Sequence, residues 1–153
     1  MARFTRFNWS DYFFEFADLA SRRSTCLRRK VGAVLVKDKM VVATGYNGPP
    51  RGVKHCSDVG CIRAKGRIPS GERHELCRGL HAEQNVIIQA ARCGININGA
   101  DLYCLNRPCG ICTKMIINAG IANVYFIDEY NDAIGKKLAT ESKVKFQKIK
   151  KKK

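Results

Sequence analysis

Two short segments constrain this chain more than anything else in it: His81-Ala82-Glu83 near the middle, and Pro108-Cys109-Gly110-Ile111-Cys112 downstream. One imidazole, two thiolates and one carboxylate are the makings of a catalytic zinc site. Zinc prefers nitrogen and sulfur ligands, and three protein ligands leave the fourth tetrahedral position open for water. Glu83 is then spare and can carry protons instead of binding metal. Residues two apart on a helix point about 200° apart, so His81 and Glu83 converge only in a first turn, where side chains bend over the helix end. The stretch 82–93, followed by Gly94, reads as a helix that opens near His81 and closes at a glycine cap. Cys109 and Cys112 share a helix face, with Pro108 where an early proline is tolerated. Two helix N-termini then aim positive dipole ends at one metal, which favours thiolates. A Cys-x-x-Cys alone marks a structural zinc half-site or a redox pair as readily. The rival arrangement is a closed four-ligand zinc with Glu83 merely solvated.

At 153 residues the chain is expected to be one domain, residues 1–147, able to bury a core without disulfides. No apolar run reaches the length of a membrane span, and the N-terminus has no hydrophobic signal region. The cytoplasm is the expected compartment, where eight cysteines argue for metal more than for disulfides. The net charge of +15 suits a polyanion or a phosphorylated substrate without choosing between them. Part of it lies in a lysine-rich segment, 148–153, expected to be a solvated, flexible tail. Arg22, Arg23, Arg28, Arg29 and Lys30 form a second basic cluster around Cys26.

A helix is expected over 9–21, capped by Asn8 or Ser10, with Tyr12, Phe13, Phe16, Leu19 and Ala20 as its core stripe. Residues 31–36 and 40–45 read as a hairpin turning at Asp38-Lys39. No periodicity runs through 51–80, an insert that holds His55, Cys56, Cys61, His74 and Cys77; a metal clip would explain so long a loop. Strands at 101–106 and 123–128, a short helix from Asp132 and a last strand at 143–148 follow. Strands alternating with helices after an opening hairpin imply a three-layer α/β/α sandwich with a mixed central sheet of about five strands. The Cys109 pair then stands at the carboxyl end of a strand, where open α/β sheets place their ligands. Cys93 and Cys104 read as small core residues.

These residues resemble the deoxycytidylate (dCMP) deaminases of the cytidine deaminase-like superfamily. The likeness rests on Ser24-Thr25-Cys26 leading into Lys30-Val31-Gly32-Ala33-Val34, on Gly45-Tyr46-Asn47-Gly48, and on His55-Cys56 with Gly60-Cys61. It continues through Cys77, His81-Ala82-Glu83-Gln84-Asn85, Pro108 to Cys112, Asn118-Ala119-Gly120-Ile121 and Asp128-Glu129-Tyr130. His-x-Glu with Pro-Cys-x-x-Cys marks zinc nucleobase deaminases in general; Gly-Tyr-Asn-Gly and the cysteine-bearing insert narrow the likeness to dCMP.

The resemblance implies hydrolysis of dCMP to dUMP and ammonia, supplying dUMP for thymidylate synthesis. Zinc would be held by His81, Cys109 and Cys112, with Glu83 as the proton shuttle. It also implies that the Ala82 amide meets the base carbonyl, Asn47 the sugar side of the nucleotide and Tyr130 the phosphate, with a weaker role for Asn85. Tyr130 reads as readily as an ordinary strand-end aromatic, and Asn85 as a helix-surface residue. A second, structural zinc is implied at Cys26 and Cys56, completed by Cys61 and Cys77, with His74 or His55 in reserve. The nearby arginines would offset its thiolates. Arg107 stands where relatives often have a small or apolar residue and is expected to reach substrate phosphate or solvent. Relatives are commonly hexamers activated by dCTP and inhibited by dTTP, so a homo-oligomer with such effectors is expected, without membrane or nucleic-acid partners. Two rival readings are a tRNA adenosine or other polynucleotide deaminase, favoured by the charge, and a non-catalytic zinc module that binds nucleic acid.

Overall fold

The computed structural model describes residues 6–150. Helix α1 (Trp9–Ser21) leads into the antiparallel hairpin β1 (Gly32–Lys37) and β2 (Met40–Tyr46). The insert follows, with the one-turn helices α2 (Cys56–Val59) and α3 (Ile62–Lys65) and a 3-10 turn at His74–Leu76. Helix α4 (Ala82–Arg92), β3 (Asp101–Asn106), α5 (Gly110–Asn118), β4 (Asn123–Asp128), α6 (Ala133–Glu141) and β5 (Lys145–Lys148) complete the order.

The five strands form one open sheet in the order β2-β1-β3-β4-β5. β1 runs antiparallel to both β2 and β3, while β3, β4 and β5 run parallel. The sheet is therefore mixed, as the alternation of elements predicts. The hairpin turns at Asp38 and Lys39, both with positive φ (51° and 61°), a backbone that matches the twist of paired strands.

Period-two alternation sends β1 and β3 side chains to both faces. Val34, Val36 and Tyr103 meet Phe13, Phe14 and Ala17 of α1. Ala33, Leu35, Leu102 and Cys104 join Ala82, Val86, Cys112 and Ile116 from α4 and α5. α1 thus covers one face and α4 and α5 the other, with α6 against α5. The expected stripe on α1 needs correcting. Phe13, Phe14, Ala17 and Ser21 are buried, whereas Tyr12 and Leu19 are 40% and 60% exposed. The apolar residues of α1 spread over more than half of its circumference, and which of them turn inward is set by Val34, Val36 and Tyr103 beneath it.

Asn8 caps α1 as expected, its Oδ1 accepting from the Asp11 amide at 2.8 Å. Cys104 is buried, but Cys93 is exposed, because it falls at the C-cap of α4 beyond the last core-facing turn. β5 begins at Lys145 and extends to Lys148, and the Ile149 amide donates to the Phe126 carbonyl at 2.8 Å. The start of the segment expected to be a tail is therefore paired with the sheet. Residues 151–153 of that segment lie outside the described residues. Among the described residues no helix is long and apolar enough to cross a membrane.

Gly45 sets where the site stands. A Cβ there would come within 2.5 Å of the Ala82 carbonyl oxygen and 2.6 Å of the Val86 amide, so only glycine lets the start of α4 lie directly on β2.

Candidate active site

His81 is the N-cap of α4 and Cys109 the N-cap of α5, both in extended backbone conformation (φ −74°, ψ 160° and φ −72°, ψ 172°). Glu83 and Cys112 follow within the first turns. The His81 amide donates to Gln84 Oε1 at 2.8 Å, which fixes the opening of α4. The start of α5 is fixed by Asp132, whose Oδ2 accepts from the Gly110 amide at 3.0 Å and whose Oδ1 accepts from the Gly135 amide at 2.8 Å. One carboxylate thus clamps the N-termini of α5 and α6.

These two helix starts bring His81, Cys109 and Cys112 together, with their ligand atoms all within 4.8 Å of one another. His81 Nδ1 lies 3.4 Å from Cys109 Sγ and 3.3 Å from Cys112 Sγ. Sulfur at about 2.3 Å and nitrogen at about 2.0–2.1 Å from one tetrahedral zinc stand ~3.5 Å apart, so the three residues fit that ion. Protonation tells the same story. The Cys109 thiol is held down to about 4 by the hydrogen bond from Cys112, against the cost of burial and with help from His81. The same bond, together with burial, pushes Cys112 well up. His81 is raised by its hydrogen bond with Cys109. A proton is shared where a cation would sit, and binding zinc would displace it.

Glu83 is 5% exposed and lines the cavity beside this cluster. Burial raises its carboxyl, against the pull of His81. It is therefore a carboxylate that takes a proton more readily than one in water, and its titration is moved toward neutral pH, where it can serve as base and then as acid.

His74 is placed differently from its reserve role in a second zinc site. Its Nδ1 lies 3.2 Å from His81 Nε2. With His81 Nδ1 presented to the sulfurs, the ring proton belongs on Nε2, where His74 accepts it. Burial and the neighbouring His81 lower His74, keeping it neutral. His55 instead pairs its Nδ1 with Thr25 Oγ1 at 2.8 Å.

Cys26, Cys56, Cys61 and Cys77 line the same cavity, and Cys26, Cys77 and Cys61 all help burial to raise the Cys56 thiol. The insert therefore gathers the four cysteines chosen from sequence. Among the described residues, only His81, Cys109 and Cys112 bring three ligand atoms within 4.8 Å.

The other expected contacts divide. Ala82, Asn47 and Tyr130 line the cavity. Asn47 also ties strand to loop: its Oδ1 accepts from the Val31 amide and its Nδ2 donates to the Arg29 carbonyl, each at 2.8 Å. Asn85 is not among the lining residues, and its Nδ2 donates to the Tyr46 carbonyl at 2.8 Å, joining α4 to β2. Arg107 also lines the cavity, and its side chain is packed as well as partly exposed. Its guanidinium lies over the rings of Phe126 (5.1 Å) and Phe146 (5.6 Å) and 3.8 Å from Glu129. Sequence reasoning misses Arg63, buried on the cavity wall; its neighbours Ile62 and Lys65 are exposed, so no periodicity signals it.

An open mixed sheet with one histidine and two cysteines at two helix starts defines a zinc-centred α/β domain. The model of the cytidine and deoxycytidylate deaminase zinc-binding region matches residues 7–128, and the chain belongs to that family. It is 43% identical over 124 residues to the deoxycytidylate deaminase of Schizosaccharomyces pombe, covering 81% of this chain and 38% of that protein. It is 40% identical over 132 residues to that of Saccharomyces cerevisiae, covering 85% of this chain and 41% of that protein. The chain thus spans less than half the length of either yeast relative. The dCMP deaminase of cyanophage S-TIM5, solved in complex with dCMP and dUMP, superposes with a TM-score of 0.79 at 32% identity. That match covers 95% of this chain and all of the other.

Proposed function

We propose that this chain is a zinc-dependent hydrolase converting dCMP and water to dUMP and ammonia. The observation that carries the reading is Glu83, buried beside a three-ligand cluster that leaves one tetrahedral position for water. The whole-chain likeness to the S-TIM5 enzyme supports dCMP as the substrate.

Zinc, when bound, lowers the pKa of bound water to about 7 and so supplies a nucleophile at neutral pH. The protein's part is proton transfer and placement. Glu83 takes the proton from water and delivers it to N3 of cytosine, which makes C4 electrophilic. The water oxygen bonds to C4, and Glu83 then carries that oxygen's remaining proton to the 4-amino group, so that the C4–N bond breaks, ammonia leaves and the C4 carbonyl of dUMP forms. The first-turn amide of Ala82 points a donor at the base carbonyl. His74 holds the His81 ring so that Nδ1 faces the thiolates. Cys26, Cys56, Cys61 and Cys77 would hold a second, structural zinc, which would tie the insert to the body. The same reading takes the chain as a single cytoplasmic domain that assembles with copies of itself and responds to dCTP and dTTP.

Purified protein assayed on dCMP, deoxycytidine and a tRNA anticodon stem-loop tests the proposal. Turnover of dCMP well above the other two is expected; deamination of the stem-loop alone, or of nothing, overturns it.

A further inference from the structure

Arg63 is 8% exposed, and among the described residues no carboxylate lies within ion-pair distance of it. Its Nη2 donates to the Pro69 carbonyl at 3.2 Å, and its Nε is buried without an acceptor. The local arrangement is inverted: Ile62 is 57% exposed while the cation beside it is buried. Desolvating a guanidinium is costly unless an anion compensates it. The fold keeps one here on the wall of the cavity that holds His81, Glu83 and Cys109.

Arg28, Arg29, Ser70 and Tyr130 line the same cavity. A planar guanidinium with free N–H groups suits a phosphate monoester, which it can grip through two parallel hydrogen bonds.

We propose that Arg63 is the buried cation that receives the substrate's 5′-phosphate and thereby selects a nucleoside monophosphate over the nucleoside. The proposal rests on the deaminase reading above and adds a specificity residue to it. Anion binding supplies the missing counter-charge, so the cost of burying Arg63 is offset only when the correct substrate is present. A nucleoside leaves the guanidinium unpaired, and that penalty is the discrimination.

The test compares wild type, Arg63→Gln and Arg63→Lys as zinc-loaded enzymes on dCMP and deoxycytidine, with zinc content measured for each. In Arg63→Gln the ratio of kcat/KM on dCMP to that on deoxycytidine falls about 30- to 100-fold, mainly through KM for dCMP, at unchanged zinc content. Arg63→Lys, keeping charge but not the fork, falls between. An unchanged ratio, or an equal loss on both substrates, overturns the proposal. Two binding measurements ask the same question without turnover. In calorimetry, wild type prefers dUMP to deoxyuridine, and Arg63→Gln loses that preference. In wild-type protein, the Arg63 Nε–H resonance, assigned by its absence from Arg63→Lys, shifts with dUMP and not with deoxyuridine; equal shifts overturn the proposal even if Arg63→Gln does not fold. Wild type that turns over neither substrate but passes both binding tests would refute the deaminase reading and leave Arg63 as a nucleotide-phosphate site.

Discussion

The rings of His74 and His81 meet edge to face at 70°, centroids 4.8 Å apart, with His81 Nε2 3.2 Å from His74 Nδ1. Metal-ligating histidines commonly donate their second ring N–H to an acceptor that fixes tautomer and orientation; here the acceptor is another imidazole. His74→Phe keeps the ring contact and removes the acceptor. Its zinc affinity should fall about 10- to 100-fold, read by competition with a chromogenic chelator. His74→Gln, which retains an acceptor, should recover part of that affinity. Equal affinity in all three proteins would show that His81 needs no partner.

Asp132 is a second indirect support for the metal cluster. Burial pushes its carboxyl up, but the amides of Gly110 and Gly135 overcome this and hold it below its ordinary value. A depressed carboxyl stabilises the fold above its unfolded pKa, about 3.9, and that contribution disappears as pH falls through the lower folded value. Asp132→Ala should cost about 2 kcal/mol near neutral pH, or about 4–8 °C in Tm. Its gap from wild type should narrow below about pH 4. A gap constant from pH 7 to pH 3 would mean that the charge contributes nothing.

What is readable from sequence follows what is local. The hairpin, the helix starts at His81 and Cys109 and the positions of the strands along the chain all depend on neighbouring residues, and the structure places them within a residue or two of expectation. The grouping of His81, Cys109 and Cys112 is readable because each half lies at one helix terminus. The buried face of α1 is not readable, because a helix apolar on most sides leaves that choice to the sheet. Nor are the Arg107 stack on Phe126 and Phe146, the His74–His81 contact or the burial of Arg63. Each is made by irregular chain, or across strands far apart in sequence.

Metal content separates the two cysteine groups. Elemental analysis of the whole chain should find about two zinc ions per molecule. Cys61→Ser with Cys77→Ser should reduce this to about one and loosen the insert while His81, Cys109 and Cys112 keep theirs. One zinc in wild type, with Cys26 and Cys56 readily alkylated in native protein, would make the insert a loop of free thiols.

Glu83 gives the sharpest separation of chemistry from structure. Glu83→Gln preserves the volume of this buried side chain and removes its ability to take and give a proton. Zinc content and Tm should match wild type, while kcat on dCMP should fall by about 100- to 10,000-fold, the span of general acid–base catalysis. His81→Ala should instead lose metal and activity together. The pH profile adds a sign. Glu83 must be ionised to take the first proton, and burial holds its carboxyl above the ordinary range. The acid limb of kcat/KM should therefore break at a pH above that of a carboxyl in water, with activity falling as pH drops through it. Residual turnover in Glu83→Gln above a few per cent of wild type would assign the proton transfer to another group.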